Sequence, residues 1–154
     1  DPANIRSIWG SQANSYVRQI ITEKVNTYVS WENRTYNYKT ASIHTMDPSY
    51  TSRGFRFKYG YAEIRCFPMH AQGMINDFWM LNDDNPSRWP PEVDIVEFDS
   101  RVGKAFFYNH YRDSSGNHRY PSLTANINSN AYHTFGCLWE PGSLKWYVDG
   151  TYIG

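Results

Sequence analysis

The chain has 154 residues, 18% of them aromatic, and its 15 Lys and Arg residues balance its 15 Asp and Glu residues. A net charge of zero excludes the strongly basic surface that nucleic-acid-binding proteins present. The longest apolar runs are too short to span a membrane, and the sequence has neither a phosphate-binding glycine loop nor a long helix-period apolar stripe.

Short runs of β-branched and aromatic residues alternate with turn-forming residues along the chain. This spacing predicts an all-β antiparallel sandwich in a single domain of residues 1–154, without a linker or repeat. The predicted strands cover residues 20–22, 25–31, 40–46, 53–58, 61–67, 73–81, 92–99, 105–112, 133–139 and 144–148. Turns are predicted at residues 114–117 and 149–150, and a polar loop at residues 82–88 leads into the strand at 92–99.

The strand predicted over residues 92–99 stands out because three carboxylates interrupt its β-branched and aromatic residues. Successive side chains of a strand point to opposite faces, so Glu92 and Asp94 share one face. Glu97 joins them only if a β-bulge near residues 95–96 accommodates one extra residue. A solvent-facing strand whose acids pair with arginines fits the same pattern.

Two glutamates that flank an aspartate on one face meet the needs of glycoside hydrolysis with retention of configuration. One carboxylate attacks the sugar carbon and a second protonates the leaving oxygen, with the two carboxyl groups about 5–5.5 Å apart. Nearby negative charges raise one pKa, so one glutamate stays protonated while the other is ionised. Glu92 and Glu97 are therefore the candidate pair.

Two cysteines, Cys66 and Cys137, fall on predicted strands that are far apart in sequence. One disulfide and two free thiols both remain open, and the packing role of strand cysteines favours free thiols. The cysteines and the five histidines show no spacing typical of metal ligands. We therefore predict neither a metal nor a cofactor.

The segment Glu92-Val93-Asp94-Ile95-Val96-Glu97 resembles the bulged catalytic signature of glycoside hydrolase family 16. Three further blocks, at residues 59–65, 78–81 and 133–150, resemble segments of the same family and occur in the same order. The resemblance implies a β-jelly-roll sandwich with a concave substrate cleft across one curved sheet.

Carried over by position, the resemblance implies that Glu92 is the nucleophile, Glu97 the general acid/base, and Asp94 the residue that orients or supports the nucleophile. Trp79 and Trp89 are candidates for a sugar-stacking platform, because an aromatic ring offers an apolar face to a pyranose. Trp79 fits a place in the core equally well. The polar candidates for binding sugar hydroxyls are Asn76, Asp77, Arg88 and His110; His110 fits a structural hydrogen-bonding role equally well.

The substrate expected from this resemblance is a β-1,3(4)-glucan, cleaved at internal linkages. The segment Trp89-Pro90-Pro91-Glu92 and the block at residues 133–150 resemble bacterial β-glucanases, whereas residues 76–81 resemble agarases. A marine galactan hydrolase is therefore the second hypothesis. The third is a non-catalytic β-glycan-binding module, because a fold alone does not determine function. Polysaccharide is the expected partner in every case, without nucleic acid or membrane.

Compared with that family, the chain looks shortened at both ends. A minimal form, a fragment, and half of an assembly that completes its sheets by self-association each explain the difference. The structural calcium that family members often hold in their terminal segments is not carried over. Because polymeric substrates are extracellular, we expect the protein to be secreted.

Overall fold

Antiparallel β-strands account for nearly all of the regular structure. The computed structural model describes residues 2–9, 16–45, 54–69, 71, 73–82 and 88–154. Contacts within the chain separate into two compact units, Asp1–Gly54 and Phe55–Gly154, so a single domain over residues 1–154 stays a prediction. None of the helices in the described residues has the length and apolar character needed to cross a membrane.

The first unit consists of two antiparallel hairpins. Its strands are β1 (Ile5–Trp9), β2 (Tyr16–Ile20), β3 (Glu23–Val29) and β4 (Arg34–Lys39). The turn between β3 and β4 is a short 3₁₀ segment that ends at Asn33, which has a left-handed φ of 50° and accepts a 2.7 Å hydrogen bond from the hydroxyl of Tyr28. The strand predicted at 40–46 is wrong over residues 40–45, and Met46 lies outside the described residues.

The second unit consists of two antiparallel sheets. The sheet that carries the acids contains β6 (Ile75–Leu81), β7 (Glu92–Asp99), β8 (Lys104–Arg112), β9 (His118–Arg119) and β10 (Ser122–Asn126). Its order is β10-β8-β7-β6, with β9 paired to the far end of β8. The other sheet has the order β13-β12-β11-β5 and contains β5 (Gly60–Cys66), β11 (His133–Glu140), β12 (Ser143–Val148) and β13 (Thr151–Tyr152).

Apolar side chains from both sheets of the second unit form one core between them. The buried members of this core are Ile95, Val96, Phe98, Ala105, Phe107, Ile127, Phe135, Cys137, Trp146 and Val148. Burial of each large apolar side chain stabilises the fold by about 1.5–3 kcal/mol. The indole N–H of Trp146 donates a 3.0 Å hydrogen bond to the main-chain carbonyl of Asp94, which ties the second sheet to the acid-bearing strand.

Five of the strands predicted in this unit, at residues 61–67, 92–99, 105–112, 133–139 and 144–148, are confirmed to within one residue at each end. The strand predicted at 53–58 is wrong over residues 54–58, and Arg53 lies outside the described residues. Both cysteines are free thiols. They lie on neighbouring strands, but Cys66 pairs with His133 and Cys137 pairs with Ala62, so the two side chains are offset along the sheet.

Candidate active site

A β-bulge in β7 sets the geometry of the site. On one side, Phe78 pairs with Val96 and the next residue, Trp79, pairs with Asp94, so Ile95 has no partner in β6. The pairing with β8 also shifts between Asp94 and Glu97. The bulge expected from the spacing of the acids is therefore confirmed at its predicted place.

The bulge separates the acids of β7 from its apolar residues. Glu92, Asp94 and Glu97 share the face that points away from the core, whereas Ile95 and Val96 are both buried in the core. An uninterrupted strand would have turned Glu97 towards the core, where an unpaired carboxylate is costly to bury.

Three rows of side chains cross this face, one for each acid, because residues in register share a face of the sheet. From β6 through β7 to β8 they are Leu81–Glu92–His110, Trp79–Asp94–Tyr108 and Asp77–Glu97–Phe106. A carboxyl group therefore lies at the centre of each row, with β6 on one side and an aromatic or imidazole ring of β8 on the other.

Asp94 is the most buried of the three acids, with 1% of its surface exposed. Burial, followed by the charges of Glu92 and Glu97, raises the pKa of Asp94 to about 8. Its Oδ2 atom has no hydrogen bond with the described residues, although Nε2 of His110 lies 3.1 Å away. Asp94 is thus held in a setting that favours its neutral form.

Glu92 and Glu97 lie in different surroundings. The indole N–H of Trp89 donates a hydrogen bond to Oε2 of Glu92, which holds this carboxyl group in place. Burial, followed by the charges of Asp77 and Glu92, raises the pKa of Glu97. Glu92 is therefore held in position on the acid-bearing face, and Glu97 is suited to hold a proton.

Aromatic rings form one wall of the site. Phe106, Tyr108 and His110 follow one another on the same face of β8, with ring centroids 6.3 Å and 5.6 Å apart. Trp89 lies 4.7 Å from the ring of His118, and Tyr120 lies 5.2 Å from it. This wall of apolar ring faces is suited to stacking against a pyranose.

The structure brings most of the predicted binding residues to this face. Trp79 and Trp89 are 39% and 41% exposed, so Trp79 does not belong to the core. Asp77 lies opposite Glu97, and His110 lies opposite Glu92. Arg88 is exposed just before Trp89 and forms no ion pair with the three acids in the described part of the chain. Residues 83–87 of the predicted bordering loop lie outside that part.

The structure corrects the prediction that Asn76 binds sugar hydroxyls, because its side chain does not lie on the acid-bearing face. It is on the opposite side of β6 from Asp77, and its amide group forms two hydrogen bonds with the main chain of Met69, of 3.1 Å and 3.0 Å. The strand period of two requires this, since neighbouring residues cannot share a face. Asn76 therefore holds the chain segment before β6 in place.

Four ring-bearing residues of the site were not predicted from the sequence: Phe106, Tyr108, His118 and Tyr120. The first two follow from the period of two along β8, counted from His110. The predicted turn at residues 114–117 places the following residues beside β8, so it gave a signal for His118. None of the sequence motifs marked these residues.

The acids do not line the apolar groove found in the described part of the second unit. An apolar groove of about 540 Å³ lies on the core side of β7 and β8, lined by residues such as Phe107, Leu123 and Trp146. Catalysis needs the charged face rather than this groove, so we place the site at the three acids. Among the described residues, no three His, Cys, Asp or Glu side chains are grouped to hold a metal ion.

We expect Asp77→Asn to be more stable than the wild type at neutral pH. Burial and the charge of Glu92 raise the pKa of Asp77, so the folded protein binds this proton more tightly than the unfolded chain does. Stability is therefore lost as pH rises from the ordinary aspartate pKa of 3.8 through the raised pKa. Asparagine avoids that loss. Urea denaturation at about pH 3 and about pH 7 measures the difference, which should appear only at the higher pH.

Asp113→Asn is the matched control, for which the expected change in stability at neutral pH has the opposite sign. A hydrogen bond from Arg119 lowers the pKa of Asp113, so this carboxylate stabilises the fold above its unfolded pKa and the stabilisation is lost as pH falls. The control should therefore be less stable than the wild type at about pH 7. Equal stability of Asp77→Asn and the wild type at both pH values would contradict the electrostatic cause given for Asp77.

The family described as "Glycosyl hydrolases family 16" matches residues 8–154. A beta-glucanase of Bacillus amyloliquefaciens is 33% identical over 94 residues, which cover 61% of this chain and 39% of the relative. The chain therefore spans well under two thirds of the length of that relative.

Solved structures share the fold. The catalytic domain of an endo-1,3-beta-glucanase (laminarinase) from Thermotoga petrophila has a TM-score of 0.72 and 22% identity, over 94% of this chain and 59% of that one. A mixed linkage glucan protein of Bacteroides ovatus, solved in complex with an oligosaccharide product, has a TM-score of 0.67 and 24% identity, over 100% of this chain and 64% of that one. These likenesses confirm the predicted antiparallel β-sandwich of jelly-roll type.

Proposed function

Because the chain belongs to glycosyl hydrolases family 16, we propose that it cleaves β-1,3- or mixed β-1,3-1,4-glucans at internal linkages, with retention of configuration. The observation that carries this proposal is the bulged strand β7, which brings Glu92, Asp94 and Glu97 to one face. A wall of rings beside those acids, of which Trp89 and Tyr120 are exposed, offers the apolar surface that a sugar chain needs.

The proposed reaction has two steps that share one pair of carboxyl groups. Glu92 attacks the anomeric carbon and forms a glycosyl-enzyme ester, while Glu97 gives its proton to the departing sugar oxygen. Glu97 then takes a proton from water, whose oxygen attacks the anomeric carbon and breaks its bond to Glu92, so the sugar is released with its original configuration. Asp94, between the two, changes the charge next to Glu92 when it gains or loses its own proton.

Glucan is preferred to galactan as the substrate for two reasons. The Bacillus relative is a beta-glucanase, and the two structural neighbours described above are a laminarinase and a mixed linkage glucan protein. The resemblance to agarases depended on residues 76–81, and Asn76 in that segment bonds to the main chain of Met69 away from the acids. Secretion follows as part of the proposal, because such polymers do not enter cells.

We expect reducing ends to be released from laminarin or mixed-linkage β-glucan, with little release from agarose or κ-carrageenan. Proton NMR of the first product should show the β-anomer before mutarotation, as retention requires. Release from agarose or κ-carrageenan alone would overturn the glucan assignment. A folded protein that binds laminarin without cleaving it would support the binding-module hypothesis instead.

A further inference from the structure

A chain of two imidazole rings connects the buried Asp94 carboxyl to the surface. Nε2 of His110 lies 3.1 Å from Oδ2 of Asp94. On the other side of the same ring, Nδ1 of His110 lies 3.0 Å from Nε2 of His118. His118 is half-buried on β9, so the three groups lead from the interior of the site to solvent.

Asp94 needs such a connection, because the residue is 1% exposed and its Oδ2 atom is buried without a hydrogen bond to the described residues. A buried carboxyl oxygen left unpaired costs free energy, and Nε2 of His110, 3.1 Å away, is within reach as its partner. Any proton that Asp94 gains or loses then has a direct partner in His110.

The hydrogen bond between the two rings couples their tautomers. A neutral imidazole carries one N–H group and one lone pair. If the Nδ1–H of His110 donates to His118, Nε2 of His110 carries the lone pair and accepts a hydrogen bond from a protonated Asp94. If His118 donates from Nε2 to His110, the Nε2–H of His110 donates to an ionised Asp94. The bond to His118 therefore decides which form of Asp94 is satisfied.

We propose that His118 is a positioning residue that sets, through His110, whether the Asp94 carboxyl is protonated. The inference rests on the proposed function for its effect on catalysis, but the tautomer coupling is a property of the resting protein. His118 also packs 4.7 Å from Trp89, whose indole N–H holds Glu92. The His118 side chain thus supports the contacts made by both Asp94 and Glu92.

Ionisation of Asp94 moves protons along both rings and releases one proton to water. When Asp94 loses its proton, the O–H proton moves to Nε2 of His110, and the Nδ1 proton of His110 moves to Nε2 of His118. The Nδ1 proton of His118 then leaves to water. Burial, partly opposed by the charge of Glu92, lowers the pKa of His110, which keeps that ring neutral so that it can pass a proton on.

Other ionisable groups face this chain and belong to its electrostatics. By element they are Asp77 on β6, Glu92 and Glu97 on β7, Tyr108 and Arg112 on β8, and Asp113, Arg119 and Tyr120 around β9. Asp113 and Arg119 form a 2.7 Å ion pair with each other, and Arg112 donates to the carbonyls of Gly116 and Trp89. The acids of β6 and β7 oppose ionisation of Asp94.

The test is a pH titration of the whole chain, labelled with ¹⁵N-histidine and ¹³C-aspartate, by NMR. We expect His110 and His118 to change from the Nδ1–H to the Nε2–H tautomer at one midpoint, shared with the Asp94 carboxyl. In His118→Phe, which keeps a ring beside Trp89, the midpoint of Asp94 should move by about one pH unit or more. The pH dependence of kcat should move with it.

His118→Gln provides the second variant. Its amide can occupy the position of Nε2 and hydrogen-bond to His110, so the fold should be retained while the shared tautomer change is lost. His44→Gln is the matched control, since His44 is an exposed residue that contacts Ser42 and should leave the Asp94 titration unchanged.

The outcomes separate this inference from the proposed function. Tautomers of His110 that do not change with pH in the wild type, or that titrate identically in His118→Phe, would overturn the role of His118 even if glucan is hydrolysed. A shared midpoint in a protein that cleaves no glucan would uphold the imidazole chain and overturn the proposed function alone.

Discussion

Glu92→Gln should lower kcat on laminarin or mixed-linkage glucan by about 10⁴-fold or more, because an amide cannot form the glycosyl ester. The fold should be unaffected, since the side-chain carbonyl of Gln still accepts the hydrogen bond that Trp89 donates to Glu92 in the wild type. Glycan binding should also be retained, so affinity electrophoresis in a laminarin gel, run beside the hydrolysis assay, distinguishes lost chemistry from lost structure.

The same substitution has an electrostatic consequence that a structural defect would not produce. The charge of Glu92 contributes to the raised pKa of both Asp94 and Glu97, so both pKa values should fall in the variant. Glu140→Gln is the matched control: Glu140 pairs with Lys145 on the other sheet, at 2.6 Å, and its loss should leave kcat unchanged. Turnover by Glu92→Gln at the wild-type rate would rule out Glu92 as nucleophile.

The bulge could be predicted because the sequence leaves few other arrangements for β7. Acids at spacings of two and three residues share a face only if one residue is extra, and the apolar Ile95 and Val96 then both turn to the core. The reasoning needs only local alternation, which a single sequence displays. That is why the three acids could be placed on one face from the sequence alone.

The rows across the sheet could not be derived in the same way. Whether Asp77 or Trp79 lies opposite Glu97 depends on the register between strands, which non-local packing decides. Asn76 and Asp77 were both candidates for binding sugar hydroxyls, although alternation already separated them onto opposite faces. The strand period of two, applied to each residue of β6, would have excluded Asn76 from the acid-bearing face.

The first unit was predicted least well, for a compositional reason. The strand β4, Arg34–Lys39, is largely exposed. Its alternation of polar residues with Tyr36 and Tyr38 covers only two apolar positions, which is a weak signal of a half-buried strand. The segment at residues 40–46 is richer in apolar residues than β4, yet residues 40–45 contain no strand. Hydrophobic pattern alone thus favoured the wrong segment.

Glu97→Gln should lower kcat on the natural polymer by about 10²–10⁴-fold, because the departing sugar oxygen then leaves without a proton. On an aryl β-glycoside with a good leaving group the first step should be nearly as fast as in the wild type, since that group departs as an anion. A burst of aryl alcohol followed by slow turnover would show this, because the second step still needs the base. Equal losses on both substrates would contradict Glu97 as the acid.

The pH profile of the same variant tests both the role of Glu97 as the acid and the cause of its raised pKa. Burial, then the charges of Asp77 and Glu92, raise the pKa of Glu97, so wild-type kcat should fall as pH rises through that raised pKa and the acid loses its proton. Glutamine does not titrate, so the alkaline fall that follows Glu97 should disappear from Glu97→Gln on the aryl substrate, and only a pH dependence that follows Asp94 should remain. Asp77→Asn keeps the acid but removes one charge opposite it, so the fall should remain and move to lower pH. An alkaline fall that stays in place in both variants would assign it to another group.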